Sequence, residues 1–226
     1  MNYIITIMSL LCACLLVTFE SAAQDSQREI NFGFRVGYAS TIIHGSYVEF
    51  NRRLVTSGPP RPVNGKISFE VAASVYYQVY KPIFLTTGIG FIQKGGDIEN
   101  FTPVYPVDIT LNYLNVPLGV AIRALSWRKF TVLAEGVMIF NYEISSEQEF
   151  KKGLGSQETK ESKFILSYSY GGSLRYKFNQ KISLQGDVRV INDITPFFEQ
   201  WLGGYGHQEM KTKGEVYSVG VVYQWR

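Results

Sequence analysis

Cysteine is almost missing from this chain: its two residues, Cys12 and Cys14, both lie in the first apolar segment. If that segment is removed, no thiol remains, which excludes a disulfide framework and a thiolate metal site. Charge clusters are also missing. The 22 basic residues are spread along the chain and leave a net charge of only +3. A surface that tracks phosphates needs its cations together, so nucleic acid is not an expected partner. After the first segment no apolar run reaches the ~20 residues that a membrane-crossing helix requires. Histidine is limited to His44 and His207, with no carboxylates at ligand spacing, so no metal or other cofactor is expected.

The first segment has the build of an export signal. Ile4 to Phe19 is apolar apart from Thr and Ser, and Ser21-Ala22-Ala23 supplies small residues ahead of a cleavage expected before Gln24. No Lys or Arg precedes the run, so the α-amino group alone carries the positive end. Leu11-Cys12-Ala13-Cys14 looks like a lipidation box, but the apolar run continues through Leu15, Leu16 and Val17 where a polar mature start is needed. The expected organisation is a signal peptide at 1–23 and one domain at 24–226.

Aromatic residues are abundant, with Tyr and Phe at 15 each, and they recur with period two. Phe164, Leu166, Tyr168, Tyr170, Leu174, Tyr176 and Phe178 fall on one side of an extended chain, opposite Ser167, Ser169, Gly171, Ser173, Arg175 and Lys177. Strands can present such faces and helices cannot. The same alternation marks segments near 30–39, 67–78, 182–190 and 217–225, and a looser form marks 83–93, 107–123 and 130–142. In 107–123 the apolar register moves from Ile109, Leu111 and Tyr113 to Leu114, Val116, Leu118, Val120 and Ile122, as a β-bulge beside Pro117 would cause. Eight strands result, joined by connections that alternate between long and short. The long ones are expected at 42–66, 94–106, 144–162 and 193–213. Even strand number with long loops on one rim is the pattern of an all-β, eight-stranded antiparallel up-and-down transmembrane β-barrel.

The contents of the faces decide which points outward. An eight-stranded barrel is just wide enough for side chains, so the Gly, Ser, Ala and Gln face fits inside and the bulky face meets lipid. Six charges then point inward: Arg35, Glu70, Glu135, Arg175, Asp187 and Arg189. Unpaired, each would cost several kcal/mol, so a shared ion-pair network is expected, with Arg35, Glu135, Asp187 and Arg189 at similar depth and Glu70 nearer the loops. Such a network fills and registers the barrel, and a diffusion pore is disfavoured. Tyr38, Tyr77, Tyr142, Tyr168, Tyr176, Tyr217, Tyr223 and Trp225 lie near strand ends, as interfacial girdles do.

Leu111-Asn112-Tyr113-Leu114-Asn115-Val116-Pro117-Leu118-Gly119-Val120 resembles the corresponding segment of the PorT-like outer-membrane β-barrel family, which is related to OmpX and the OmpA barrel. Asn115 and Gly119 depart from it. The resemblance implies an eight-stranded barrel, with a role in protein secretion in some relatives, and it carries over no catalytic residues.

The chemistry-bearing residues are few. His44 and His207 could serve a lipid A modifying acyl hydrolase, but no Ser on a strained elbow accompanies them. Ser126-Trp127-Arg128-Lys129 has Ser-x-x-Lys form only in a short turn. The last long loop contains Phe197, Phe198, Trp201 and Tyr205, an aromatic set that suits partner contact or rim anchoring. Arg52, Arg53 and Arg61 could meet lipopolysaccharide headgroups. The expected function is a non-enzymatic outer-membrane barrel whose loops contact partners or the envelope. Its expected partners are outer-membrane lipid and lipopolysaccharide, the barrel assembly machinery, and other envelope or secretion proteins. A soluble periplasmic ligand carrier is the alternative if the apolar face points inward.

Overall fold

A computed structural model describes residues 28–46, 64–98, 107–150, 156–159, 164–201 and 207–225. The export signal at 1–23, Arg52, Arg53, Arg61 and Tyr205 lie outside the described residues. Of Trp201 and His207 only the backbone is described.

Among the described residues ten strands form: β1 (Ile30–His44), β2 (Asn64–Tyr80), β3 (Ile83–Ile98), β4 (Val107–Trp127), β5 (Phe130–Phe150), β6 (Ser156–Thr159), β7 (Phe164–Lys177), β8 (Ile182–Asp193), β9 (Phe198–Trp201) and β10 (His207–Gln224). Eight of them pair antiparallel in the order β1-β2-β3-β4-β5-β7-β8-β10, and β10 returns to β1 along a ladder from Asn31↔Gln224 to His44↔Lys211. The sheet is therefore closed. β6 pairs with the outer end of β5, and β9 with the start of β10.

The short connections lie on one rim. Lys81-Pro82 joins β2 to β3. Between β4 and β5, Arg128 takes φ 52° at the turn, a left-handed conformation that a non-glycine residue holds at a cost, and its guanidinium lies 5.1 Å from the centre of the Trp127 ring. Asn179 Oδ1 accepts hydrogen bonds from the amides of Lys181 and Ile182, both at 2.8 Å, which closes the β7–β8 turn.

The outward face is apolar. Phe34, Tyr38, Phe69, Ile89, Tyr170, Leu174, Val188 and Val219 are all exposed, whereas Arg35, Glu70, Glu135, Arg175, Asp187 and Arg189 are buried. The soluble carrier needs the reverse arrangement. Cross-strand aromatic pairs line the outside, including Tyr38 with Tyr217 (centroids 5.1 Å) and Phe130 with Tyr176 (5.1 Å). At a strand tilt of ~40°, the outward apolar run covers roughly 20 Å on β10 from Tyr217 to Trp225, and roughly 33 Å on β4 from Leu114 to Trp127. These bracket the ~25 Å apolar band of a membrane barrel.

Two expectations from the sequence need correction. The strands run past the limits expected on the loop side, over 94–98, 144–150, 156–159, 198–201 and 207–213. No bulge sits at Pro117 either, because pairing with β5 runs unbroken through Val116↔Phe140, Pro117↔Ile139 and Leu118↔Met138. Ile109, Leu111 and Tyr113 are buried on the same inward face as Asn115 and Ala121. The apolar run changes face because the barrel interior is itself apolar near the loops, so an unbroken strand carries apolar residues first inside and then outside. The two irregularities in this pairing lie on either side of it, between Asn112 and Tyr113 toward the loops and between Arg123 and Leu125 toward the short turn.

Candidate functional site: a stratified barrel interior

The lumen is filled in layers. Nearest the short turns, Tyr76, Phe84, Ala121 and Leu133 form a small apolar cluster. Arg123 closes it from below, 4.9 Å from the Phe84 ring centre and paired to Glu29 at 2.6 Å.

The middle layer is ionic. Glu70 is its hub, pairing with Arg35 at 3.7 Å and accepting a short hydrogen bond from Arg189. Arg35 also lies within electrostatic reach of Asp187 and Glu135. Arg175 Nε donates to Gln185 Oε1 at 2.5 Å, and its guanidinium lies 4.2 Å from the Tyr76 ring centre. Gln185 in turn donates to Asp187 at 2.6 Å. Hydroxyls complete the carboxylates: Ser173 donates to Glu135 and Ser218 to Asp187, each at 3.2 Å. Arg35, Glu70, Glu135, Arg175, Asp187 and Arg189 are all buried, three of each sign. The direct ion pairs centre on Glu70, which the sequence had placed apart from the other four, while Arg175 takes an amide partner.

Small residues make the layer possible. A Cβ on Gly220 would come within 2.9 Å of the Arg35 Cβ, and one on Gly171 within 2.9 Å of the Arg189 Cγ and 2.1 Å of the Val188 carbonyl. A cavity of about 10 Å³, the room that one water needs, is bounded by Arg35, Ser74, Thr86, Glu135, Ser169 and Arg189 among others.

The third layer was not foreseen. On the loop side Ile43, Ile92, Ile109, Leu111, Tyr113, Ile139, Ile165, Ile191, Phe197 and Met210 pack into an apolar plug. Inside it sits a fully buried ion pair, Lys94 to Asp193 at 2.7 Å. Both Asp193 oxygens are engaged. One accepts from Lys94 and from Ser167 Oγ (2.6 Å), the other from the Thr212 amide (3.0 Å) and hydroxyl. Asn141 donates to Ser167 at 2.7 Å. A charge pair this deep persists because each lone pair is used.

Phe197 is 6 % exposed and belongs to this plug, with Phe198 packed against it, and the Phe197 amide bonds the Met210 carbonyl at 3.0 Å. The sequence had offered both as an exposed loop contact or a rim anchor. Phe197 is instead buried in the same cluster as Ile43 and Met210, and Phe198 is partly buried against it.

His44 and His207 do not converge. His44 stands opposite Lys211, and His207 lies further along the same neighbouring strand, roughly 13 Å away. Burial, with the Lys213 charge next, pulls the His44 pKa below its ordinary value of 6.5. Among the described residues no group of three or more His, Cys, Asp or Glu is placed to hold a metal ion.

Solved structures with a similar fold include a major outer membrane protein from Thermus thermophilus (TM-score 0.50, 13% identity, 88% of this chain and 100% of that chain covered). Others are the attachment invasion locus protein Ail of Yersinia pestis (TM-score 0.42, 13% identity, 87% and 99% covered) and Neisserial surface protein A (TM-score 0.44, 11% identity, 85% and 96% covered). No curated protein sequence matches the chain. The model of the outer membrane protein beta-barrel domain matches residues 9–224, so the chain belongs to that family and to the bacterial outer membrane.

Proposed function

We propose that this protein is a non-enzymatic outer-membrane barrel that acts through its extracellular strand ends and loops, by contact with a partner or an envelope component. One observation carries this reading: the lumen is occupied from rim to rim by two apolar layers and an ionic layer between them. Among the described residues these layers leave no path for solutes through the cylinder, so its working surface is the outside. The Leu111–Val120 segment favours the PorT-like branch of the family. The signal-like segment at 1–23, cleaved before Gln24, supports export across the inner membrane of a Gram-negative cell, and the aromatic final strand with Tyr223 and Trp225 suits recognition by the barrel assembly machinery.

The test is site-specific photo-crosslinking in intact cells. A photoreactive residue at Glu147, exposed on the outer part of β5, is expected to give discrete adducts, and one at the Lys81 turn only assembly-machinery adducts. Step-like conductance in planar bilayers would overturn the reading. So would loss of lipid A acyl chains in cells making the protein, if His44→Ala abolished that loss.

A further inference from the structure

On the outer wall where β1, β10 and β8 meet, the lipid-facing surface changes character. Below, Tyr38 and Tyr217 stack across the β1–β10 ladder with ring planes 18° apart. Amphipathic rings of this kind mark the level at which hydrocarbon gives way to headgroups. Directly above come two cross-strand rows, Ser40–Glu215–Val190 and then Ile42–Lys213–Asn192. Together they line a groove of about 410 Å³. Gly214 between the rows points its missing side chain inward, where a Cβ would lie 2.1 Å from the Ser40 carbonyl, so nothing from it fills the groove.

The polar ends in the groove are unequal. Glu215 is turned down onto the Tyr217 hydroxyl, which donates to it at 2.5 Å. Lys213 makes no ion pair among the described residues, and neither the Ser40 hydroxyl nor the Asn192 amide bonds another described side chain. One row higher, Lys211 is paired with Glu209 at 3.0 Å and faces His44. Among the described residues, Lys213 is therefore an ammonium without an ion-pair partner, flanked by a hydroxyl and an amide on neighbouring strands, at headgroup depth, with Glu215 and apolar wall beneath. A lysine stem lies on apolar surface while its ammonium reaches toward water.

We propose that this groove is a lipid site, in which Lys213, with Ser40 and Asn192, holds a phosphate of the phosphorylated glycolipid of the outer leaflet while its acyl chains run down past Tyr38 and Tyr217. The anionic headgroup complements Lys213, with Glu215 turned away onto the Tyr217 hydroxyl, and the depth selects a membrane lipid over a soluble anion. The site rests on the outer-membrane placement and deepens the envelope-contact reading, but it uses the barrel wall and none of the loops.

The test uses the complete mature barrel refolded in detergent, titrated with bis-phosphorylated lipid A and, in parallel, with the same lipid stripped of phosphate, and read by native mass spectrometry. The barrel is expected to retain one phosphorylated lipid A. Lys213→Gln should weaken retention about fivefold, the effect of removing one near-surface cation, and Asn192→Asp should weaken it further. Lys181→Gln, on the opposite rim, should change nothing. Heat-modified gel mobility confirms that each variant is folded. Equal retention of the stripped lipid, or unchanged binding by both folded groove variants, would overturn the proposal. Displacement of the lipid by millimolar inorganic phosphate would assign the groove to a soluble anion instead, and so would also overturn it. Loop truncations should leave lipid retention intact, so failure here and failure of the loop-contact reading are separately visible.

Discussion

Glu70 is the residue whose neutralisation tests the lumen most directly. Its carboxylate is buried between two guanidiniums, 3.7 Å from Arg35 and closer still to Arg189. At an effective dielectric near 20, one unit pair at 4 Å is worth about 4 kcal/mol, and breaking a buried pair by removing one partner costs about 3–5 kcal/mol because the other charge stays buried. Glu70→Gln keeps the shape and leaves the layer with three cations against two anions, so a loss of about 3–5 kcal/mol is expected. Glu135→Gln should cost less, about 1–2 kcal/mol, since among the described residues Glu135 takes one hydroxyl hydrogen bond at 3.2 Å and no ion pair within 4 Å. The assay is reversible urea unfolding in lipid vesicles, followed by tryptophan fluorescence, with an unchanged denaturant slope showing that the same surface is exposed. Adding Arg189→Met to Glu70→Gln should recover part of the loss. A Glu70→Gln loss below about 1 kcal/mol would refute the reasoning, because the arginines would then be solvated within the lumen.

Three further outcomes are expected. Gly171→Ala should destabilise the barrel by about 1–3 kcal/mol in the same urea assay, because the added Cβ meets the Val188 carbonyl and the Arg189 stem. Phe197→Ala should cost about 3 kcal/mol and speed hydrogen exchange at the Phe197 amide, which is bonded to Met210, as the mouth of the plug loosens. His44 should titrate below 6.5 by NMR, since burial and then Lys213 favour its neutral form. The unfolded chain binds that proton first as pH falls, so stability is full above pH 6.5 and declines from there down through the folded-state pKa. His44→Gln should remove that part of the slope.

The strands and their facing were legible because lipid imposes one rule along each of them. Phe34 and Tyr38 against Arg35, or Leu174 against Ser173 and Arg175, could be read without any structure. The loop-side third of the lumen was not legible, since apolar residues there lie on the inside and the rule reverses. Ile109, Leu111 and Tyr113 therefore imitated a change of register. Lys94 and Asp193 were missed because they fell in presumed loops, yet the signal was present. Continuing the inward positions of β3 through Thr86, Gly90 and Ile92 arrives at Lys94, and those of β8 through Asp187, Arg189 and Ile191 arrive at Asp193. Above the membrane, polar residues such as Glu143 and Ser146 are buried alongside the apolar plug, so alternation fades while the backbone ladder continues.

The β4–β5 ladder continues from Leu114↔Tyr142 up to Val107↔Phe150, which carries these two paired strands, at the end away from their short turn, roughly 18 Å above the apolar belt. A hydrogen-bonded ribbon of that height is a mast and not a tether. Whatever arrives at the surface would meet a stiff post held at a set angle by the cylinder below, and would lose little freedom in gripping it.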